Sequence, residues 1–197
     1  CRARPRAGGC VGDLVESAPS LEKYSQQGGP DNRIVGFQGY PVMAMLRLAT
    51  TASDGKANLH QGAVGVGLDI GSGRSLNAVQ FNRPITLHPD TGLALENIQI
   101  EAWDEMLEMA SRCYEATGLG YMGVDLVVDA NEGPLLLELN ARPGLALTMA
   151  NGRGLLPRLR AIEALKRPPL TPLEESRSAM DTTHQIRRLA DHTKKGH

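Results

Sequence analysis

The sequence is poor in aromatic residues and cysteine, and it carries no strong charge of either sign. Phe, Trp and Tyr together make up 4% of the 197 residues, and there are three cysteines. Three cysteines form no framework of disulfides, and their spacing does not match paired zinc ligands. With 21 Lys and Arg against 22 Asp and Glu, the formal net charge is −1. We therefore expect a reducing, cytoplasmic setting and no nucleic-acid partner.

Long apolar runs are also missing. No run approaches the roughly 18 residues that span a bilayer, and no apolar signal-peptide core follows the basic N-terminus. We therefore expect no membrane partner. The 41% of hydrophobic residues suit one globular domain or one large lobe of a bigger architecture. We expect an irregular segment over residues 1–30 with a short helix near 14–24, a folded lobe over 31–167 and a weakly periodic tail over 168–197.

Alternating and helical apolar patterns predict an α+β fold, with helices packed on an antiparallel sheet. Three hairpins are predicted, with turns at residues 38–40, 71–73 and 130–133. The polar loop at residues 51–63 is longer than a simple turn, and loops of this length are often functional. Apolar residues at three- and four-residue steps predict a helix within 100–118, with Gly118 just beyond its end, and another within 154–167.

An apolar strand that ends in polar residues raises the question of function. Strict alternation would place on one face of this strand Leu136, Glu138 and Asn140. Folding residues 123–140 as a hairpin puts Asp125 opposite Glu138 on that face. Two carboxylates so close repel each other unless a proton or a cation lies between them. Carboxylate and amide oxygens are ligands that Mg²⁺ takes in nucleotide-dependent enzymes. The hairpin is therefore interpreted as a magnesium site, with a surface hairpin of solvated acids as the open alternative.

Three motifs in a fixed order resemble the ATP-grasp superfamily. GVDLVV followed by GPLLLELNARPGL resembles the C-terminal strands of that superfamily, where an Asp and then Glu-x-Asn hold magnesium ions. DNRIV and KANLHQGA lie upstream, in the order typical of RimK-type α-L-glutamate ligases and their related proteins. The resemblance covers about residues 30–165. It implies that the α+β fold is the C-terminal lobe of an ATP-grasp protein.

The resemblance also implies roles for particular residues. It implies ligands for Mg²⁺ (or Mn²⁺) at Asp125, Glu138 and Asn140. It implies a loop that closes over the phosphates of ATP and the substrate, with contacts from Lys56, Asn58 and His60. It implies groups that hold the transferring phosphate or the substrate carboxylate at Arg33, Arg47 and Arg142. Two alternatives stay open: Arg47 could be an exposed strand residue, and His60 could form only local hydrogen bonds.

The sequence departs from the glutamate-ligase pattern at several positions. Gln61 and Ala63 stand where Arg and Gly are common, and Lys56 stands where Arg is frequent, which leaves the amino-acid selectivity open. A complete ATP-grasp enzyme has a further lobe before these strands, with a lysine-bearing, glycine-rich loop. Here RPRAGGCVGD, residues 4–13, could be a remnant of that loop. The chain is therefore expected to be a fragment or a truncated form.

The expected function is that of an ATP-dependent carboxylate–amine ligase of the glutamate-ligase type, which acts through an acyl phosphate. Its expected partners are a small-molecule or peptide carboxylate and an amino acid, and a homo-oligomer is compatible with the sequence. The alternative is a non-catalytic ATP-grasp-derived module for binding or dimerisation. A metal-dependent hydrolase is disfavoured because no general base stands out beside the carboxylates.

Overall fold

The computed structural model describes residues 15–25, 28–144, 146–152 and 154–164. The elements in these ranges are, in chain order, α1 (Pro19–Glu22), β1 (Asp31–Phe37), β2 (Tyr40–Leu48), β3 (Val64–Leu68), β4 (Ser75–Gln80), β5 (Arg83–Ile85), α2 (Trp103–Thr117), β6 (Tyr121–Asp129), β7 (Gly133–Asn140), α3 (Ala146–Asn151) and α4 (Leu156–Ala164). The strands form a seven-stranded sheet in the order β5-β4-β3-β2-β1-β6-β7, and all neighbours run antiparallel. The predicted α+β fold is thus confirmed, whereas the predicted tail at 168–197 lies outside the described residues.

The three predicted hairpins are all present, and the first shows why a two-residue turn forms there. β1 and β2 meet at Phe37 and Tyr40, which are cross-strand partners. Gln38 and Gly39 between them have φ values of 50° and 81°. Positive φ at both central residues matches the right-handed twist of the strands, which is why such turns dominate tight hairpins.

One face of the sheet is apolar and is covered by α2. The buried side chains of this apolar face include Ile34, Leu46, Leu48, Val124 and Leu126. From α2 they meet Trp103, Met106, Leu107, Ala110 and Cys113. The helix ends as predicted, because Gly118 takes φ 68° and its N–H bonds to the carbonyl of Tyr114. The three- and four-residue spacing of the sequence is therefore the contact stripe between helix and sheet.

The opposite face carries both apolar and charged residues, and we call it the mixed face. Its apolar part is formed by Val35, Met43, Met45 and Val79, against Leu147 and Ala150 of α3. Gly67 of β3 lies under α3, and a Cβ at this position would overlap the carbonyl of Ala150. Glycine at this point allows the helix backbone to rest directly on the strand.

The structure corrects the sequence prediction at four elements, which are β7, α1, α3 and β5. The register shifts between Asp125 and Leu126, so that Glu138 pairs with Asp125 but Leu136 pairs with Leu126. Leu137 is the extra residue of a β-bulge, so the prediction that Leu136 shares a face with Glu138 is wrong. The predicted N-terminal helix is only the four residues of α1, and α3 and β5 were not predicted. No helix in the described ranges is long and apolar enough to cross a bilayer.

Candidate functional site

Four charged residues from three neighbouring strands form a connected ion row on the mixed face. Arg47 of β2 donates to both oxygens of Asp31 on β1, from Nε at 2.6 Å and from Nη2. The same Nη2 donates to Oδ2 of Asp125 on β6 at 2.8 Å. Arg33 of β1 donates from Nε and Nη2 to the two oxygens of Asp125, at 2.7 and 2.6 Å. The strand register sets this row, because Asp31 pairs with Arg47 and Arg33 with Asp125 across the strands.

Burial and pairing act in opposite directions on the ion row, whose four side chains are between 5% and 16% exposed. Burial raises the pKa of the Asp31 carboxyl above its ordinary 3.8, and the hydrogen bond and charge of Arg47 oppose this rise. Burial lowers the pKa of Arg47, but its hydrogen bonds and ion pairs with Asp31 and Asp125 outweigh that and raise it overall. Two guanidinium and two carboxylate charges therefore balance one another at a largely buried site.

The predicted metal ligands of β7 lie beside Asp125 on the same face. Glu138 is the cross-strand partner of Asp125, and Asn140 pairs with Gly123. Glu138 is exposed, and Asn140 is half-buried, with its Oδ1 accepting from the N–H of Arg142 at 2.9 Å. The hairpin thus brings together the two acids and the amide, as the sequence predicted. The cations next to Asp125 in the structure are guanidinium groups.

The connection between β2 and β3, which we call the long loop (residues 49–63), is fixed where its two ends meet. Thr50 Oγ1 donates to the carbonyl oxygen of Gly62 at 2.9 Å, and Nε2 of Gln80 on β4 donates to the same oxygen at 2.8 Å. Gly62 has φ 109°, and a Cβ there would lie 2.6 Å from Cζ of Phe81. The loop is therefore closed at its base and packed against the neighbouring hairpin.

A buried histidine lies next to the start of the long loop. His88 is 1% exposed, and its Nδ1 accepts from the N–H groups of Asp90 and Thr91 at 3.4 Å each. Asp90 in turn accepts from the N–H of Thr51 at 2.7 Å. Burial lowers the pKa of His88 below its ordinary 6.5, while the charge of Asp90 and the backbone of Ala49 oppose this fall. His88 is thus part of the support of the loop.

The tip of the long loop and the ion row enclose one pocket of about 260 Å³. It is lined by Arg33, Met45, Arg47, Ala57, Asn58, Leu59, His60 and Gly144. Asn58 caps the short 3₁₀ turn at Leu59–Gln61, since its Oδ1 accepts from the N–H of His60 at 3.0 Å. Gly65 lies beneath this turn, and a Cβ there would come within 2.9 Å of Leu59 Cδ2. Glycine in β3 therefore allows the loop to approach the sheet and form the pocket.

The structure brings together four of the six predicted phosphate-contacting residues in this pocket and leaves two at its margin. The lining residues among the described part of the chain do not include Lys56 or Arg142. Lys56 is 62% exposed, with its Nζ 3.7 Å from a carboxylate oxygen of Asp54. Arg142 is exposed at the end of β7. The alternative of Arg47 as an exposed strand residue is wrong, because its side chain is 11% exposed and paired with two acids.

The sequence prediction did not include Asp31 among the site residues. Its signal was present, because Asp31 lies two residues before Arg33 in a predicted strand and therefore on the same face. What sequence alone did not supply was the partner, since Arg47 comes from a different strand. Asp31 is thus part of the site through its ion pair with Arg47.

The oxygen atoms of Asp125, Glu138 and Asn140 are of the kinds that bind a hard divalent cation. A carboxylate offers about four lone-pair positions, and three hydrogen bonds from Arg33 and Arg47 leave Asp125 one. Glu138 and Asn140 add a carboxylate and an amide oxygen on the same face, the ligand types that Mg²⁺ prefers. The described residues contain no cluster of three or more His, Cys, Asp or Glu suited to a metal. Any such ion would therefore depend on the amide and on substrate oxygens.

The chain resembles a known protein family over the residues that form the site. The profile of the family described as sugar-transfer associated ATP-grasp matches residues 9–164, a range that contains every residue of the pocket and the ion row. A search of curated proteins found no match. Thirteen solved chains match, among them one described as the ATP-grasp ligase PsnB complexed with minimal precursor. That likeness has 16% identity and a TM-score of 0.40, and it covers 79% of this chain but 36% of the PsnB chain.

Proposed function

Because the chain belongs to the sugar-transfer associated ATP-grasp family, we propose that it supplies the phosphate- and metal-binding part of an ATP-dependent carboxylate–amine ligase. The observation that carries the proposal is the pocket of about 260 Å³, in which Arg33 and Arg47 from the sheet face Asn58 and His60 from the long loop. Such a pocket presents guanidinium, amide and imidazole donors to an anion, which suits the phosphates of ATP. Glutamate-ligase-like chemistry and a cytoplasmic location, where ATP is available, belong to the same proposal.

The proposed reaction has two steps. A carboxylate oxygen of the first substrate attacks the γ-phosphorus of ATP, the bond from that phosphorus to the bridging oxygen breaks, and ADP leaves with an acyl phosphate formed. The nitrogen of an amino acid then attacks the acyl carbon, the carbon–oxygen bond to phosphate breaks, and the amine proton passes to solvent or phosphate. The products are an amide, ADP and inorganic phosphate.

In phosphoryl transfer a protein acts mainly by positioning groups and by stabilising charge, and the site offers both. Arg33 and Arg47 are held rigidly by carboxylates, so their remaining N–H groups would meet the transferring phosphate in a fixed orientation. Asn58 and His60 would approach it from the loop side. When bound, Mg²⁺ neutralises charge on the phosphate oxygens.

The remaining predicted residues have roles at the edges of the site. Mg²⁺ (or Mn²⁺) would be held by Asp125, Glu138 and Asn140. Lys56 and Arg142, both exposed, would be available to an anionic substrate as it enters. The substrate pair would be a small-molecule or peptide carboxylate and an amino acid such as glutamate, and a homo-oligomer is compatible with this function.

Glu138 provides the sharpest test, because it is exposed and its loss should leave the fold intact. We expect Glu138→Ala to reduce ADP release in the presence of amino-acid and peptide acceptors by more than about tenfold, since even supporting partners of a metal ligand are worth about 10–100-fold. The matched control is Glu132→Ala, an exposed acid at the turn of the same hairpin, which should leave the rate unchanged. Equal rates in wild type and both variants would overturn the proposal.

A second candidate function is a non-catalytic binding module, and one observation favours it. The ion row is charge-balanced by its own residues, so the fold needs no ligand to satisfy Asp125. Calorimetric titration with Mg²⁺ and a non-hydrolysable ATP analogue separates the two functions. Micromolar binding supports the ligase, and the absence of heat supports the module.

A further inference from the structure

We propose that Asp31 is a positioning residue that keeps Asp125 available to a divalent cation by limiting Arg47 to a single hydrogen bond with Asp125. The inference rests on the proposed function, because it concerns the same metal site. It adds a residue that is neither a predicted metal ligand nor itself a lining residue of the pocket. The hydrogen bonds that link its side chain to the site come from the guanidinium of Arg47.

The hydrogen bonds of Arg47 are divided unequally between two acids. Arg47 donates two hydrogen bonds to Asp31, from Nε and Nη2, and only one to Asp125, from Nη2 at 2.8 Å. The two-bond contact is the planar fork geometry that arginine forms with a carboxylate. Asp31 therefore determines the orientation of the guanidinium plane, and Asp125 receives a single additional bond.

Without Asp31, the same guanidinium would have one carboxylate within reach. Asp125 already accepts two bonds from Arg33, and Arg47 would then compete for its last lone-pair position. The charge of the row would change as well. Two guanidiniums and two carboxylates sum to zero, whereas two guanidiniums and Asp125 alone sum to +1. Both changes oppose the binding of a cation next to Asp125.

The low exposure of these side chains makes the effect strong. Asp31 and Arg47 are each 11% exposed and Asp125 is 5% exposed, so water screens their charges poorly. Glu138 does not take over this role of Asp31, because Glu138 is exposed and lies on the far side of Asp125 from Arg47. Outer partners of metal ligands are typically worth about 10–100-fold in metal affinity. We expect an effect of that order for Asp31.

The test measures Mn²⁺ affinity of the whole chain by the loss of the free-ion signal in electron paramagnetic resonance, with no substrate present. Asp31→Asn should weaken Mn²⁺ binding by about tenfold or more. The matched control is Asp54→Asn, which removes the same charge from a 92% exposed carboxylate. Its φ of 53° suits asparagine, and it should leave the affinity unchanged.

A double variant shows whether Asp31 acts through Arg47. Asp31→Asn combined with Arg47→Met restores the charge balance and removes the competing guanidinium, so Mn²⁺ affinity should return towards the wild-type value. A merely structural role predicts that two lesions weaken binding more than one. This variant also keeps the test decisive if Asp31→Asn alone fails to fold, because a methionine leaves no unpaired charge.

The outcomes separate the two proposals. Wild-type protein that binds no Mn²⁺ would overturn the metal site and Asp31's role together. Wild-type protein that binds Mn²⁺, with Asp31→Asn equal to wild type or with the double variant weaker than Asp31→Asn, would overturn the role of Asp31 alone. Weaker binding in the single variant with recovery in the double variant supports the inference.

Discussion

The two faces of the same sheet follow different rules, although the same strands build both. On the apolar face, Ile34 and Leu46 pack against α2 and are inaccessible to solvent. On the mixed face, their immediate neighbours Arg33 and Arg47 form ion pairs that open onto a pocket. Alternation along a strand places adjacent residues on opposite faces, so one face can be optimised for packing while the other carries charge.

The difference between the two faces shows how a small sheet can carry polar chemistry. The charges of the mixed face are only partly covered. The helix α3 packs on Met43 and Val79, and the long loop reaches over Arg33 and Arg47 but leaves a pocket there. The apolar face stabilises the fold because its side chains are removed from water, and this contribution needs no specific polar or charged partner. The mixed face depends on every member of the ion row having its partner.

The largest effect is expected from breaking the ion row. Asp125→Ala leaves Arg33 and Arg47 without their shared carboxylate, and removal of one partner from a buried ion pair typically costs about 3–5 kcal/mol. The free energy of unfolding measured in urea should fall by that amount. Asp125→Asn, which retains one acceptor oxygen, should lose less. A loss below 1 kcal/mol in the alanine variant would contradict the pairing.

The apolar face should respond to a cavity in a similar range. Leu46→Ala removes a fully buried side chain under α2, and such substitutions cost about 2–5 kcal/mol. Leu76→Ala, at a position 40% exposed, is the matched control and should change the unfolding free energy by less than about 0.5 kcal/mol. Mn²⁺ affinity should be unchanged in both variants, and a change in either would show that the two faces are coupled.

A smaller effect is expected where α3 rests on the sheet. Gly67→Ala places a Cβ against the carbonyl of Ala150, and overpacking of this kind typically costs about 1–3 kcal/mol. Gly120→Ala is the control, because a Cβ there meets no atom within 4 Å. Thermal unfolding of the two variants measures the difference. Equal midpoints would mean that α3 does not contact β3 as closely as the structure has it.

The smallest effect concerns pH. The folded-state pKa of His88 is depressed by burial, so the unfolded chain takes up a proton more readily. Stability due to neutral His88 is therefore fully present above about pH 6.5, its ordinary pKa, and is lost as pH falls through its folded-state pKa. His88→Gln should flatten unfolding free energy against pH in that window. An unchanged slope in the variant would exclude His88 as the source.

Much of the fold could be predicted because its signals are local. Hairpin turns and alternating apolar residues gave three correct strand pairs. The pairing of Asp125 with Glu138 was predicted from a fold-back point between Asn131 and Glu132. In the structure the turn instead pairs Asp129 with Gly133, and the bulge at Leu137 brings Glu138 opposite Asp125. The helix α2 was predicted because its contact stripe recurs over fifteen residues. By contrast, α3 has six residues and β5 has three, too few for a periodic signal.

The ion row could not be predicted in full, because its bonds join strands that are distant in sequence. Asp125 meets Arg33 and Arg47 only because β1 lies between β2 and β6. Nothing local in the sequence sets that order. The sequence predicted a proton or a cation between Asp125 and Glu138, and a metal ion was the interpretation, with a solvated surface hairpin as the alternative. In the structure the guanidinium groups of Arg33 and Arg47 are the cations that contact Asp125, and one lone-pair position of the Asp125 carboxylate stays open.

The extra residue at Leu137 has a consequence for how this strand can vary in evolution. It uncouples the two halves of β7, so that the half carrying Pro134 and Leu136 keeps its own pattern of inward and outward side chains. The direction of Glu138 and Asn140 is therefore set independently of the pattern at the hairpin end. A deletion of this one residue would instead force a choice between the two patterns, because a one-position slip moves each side chain to the other face.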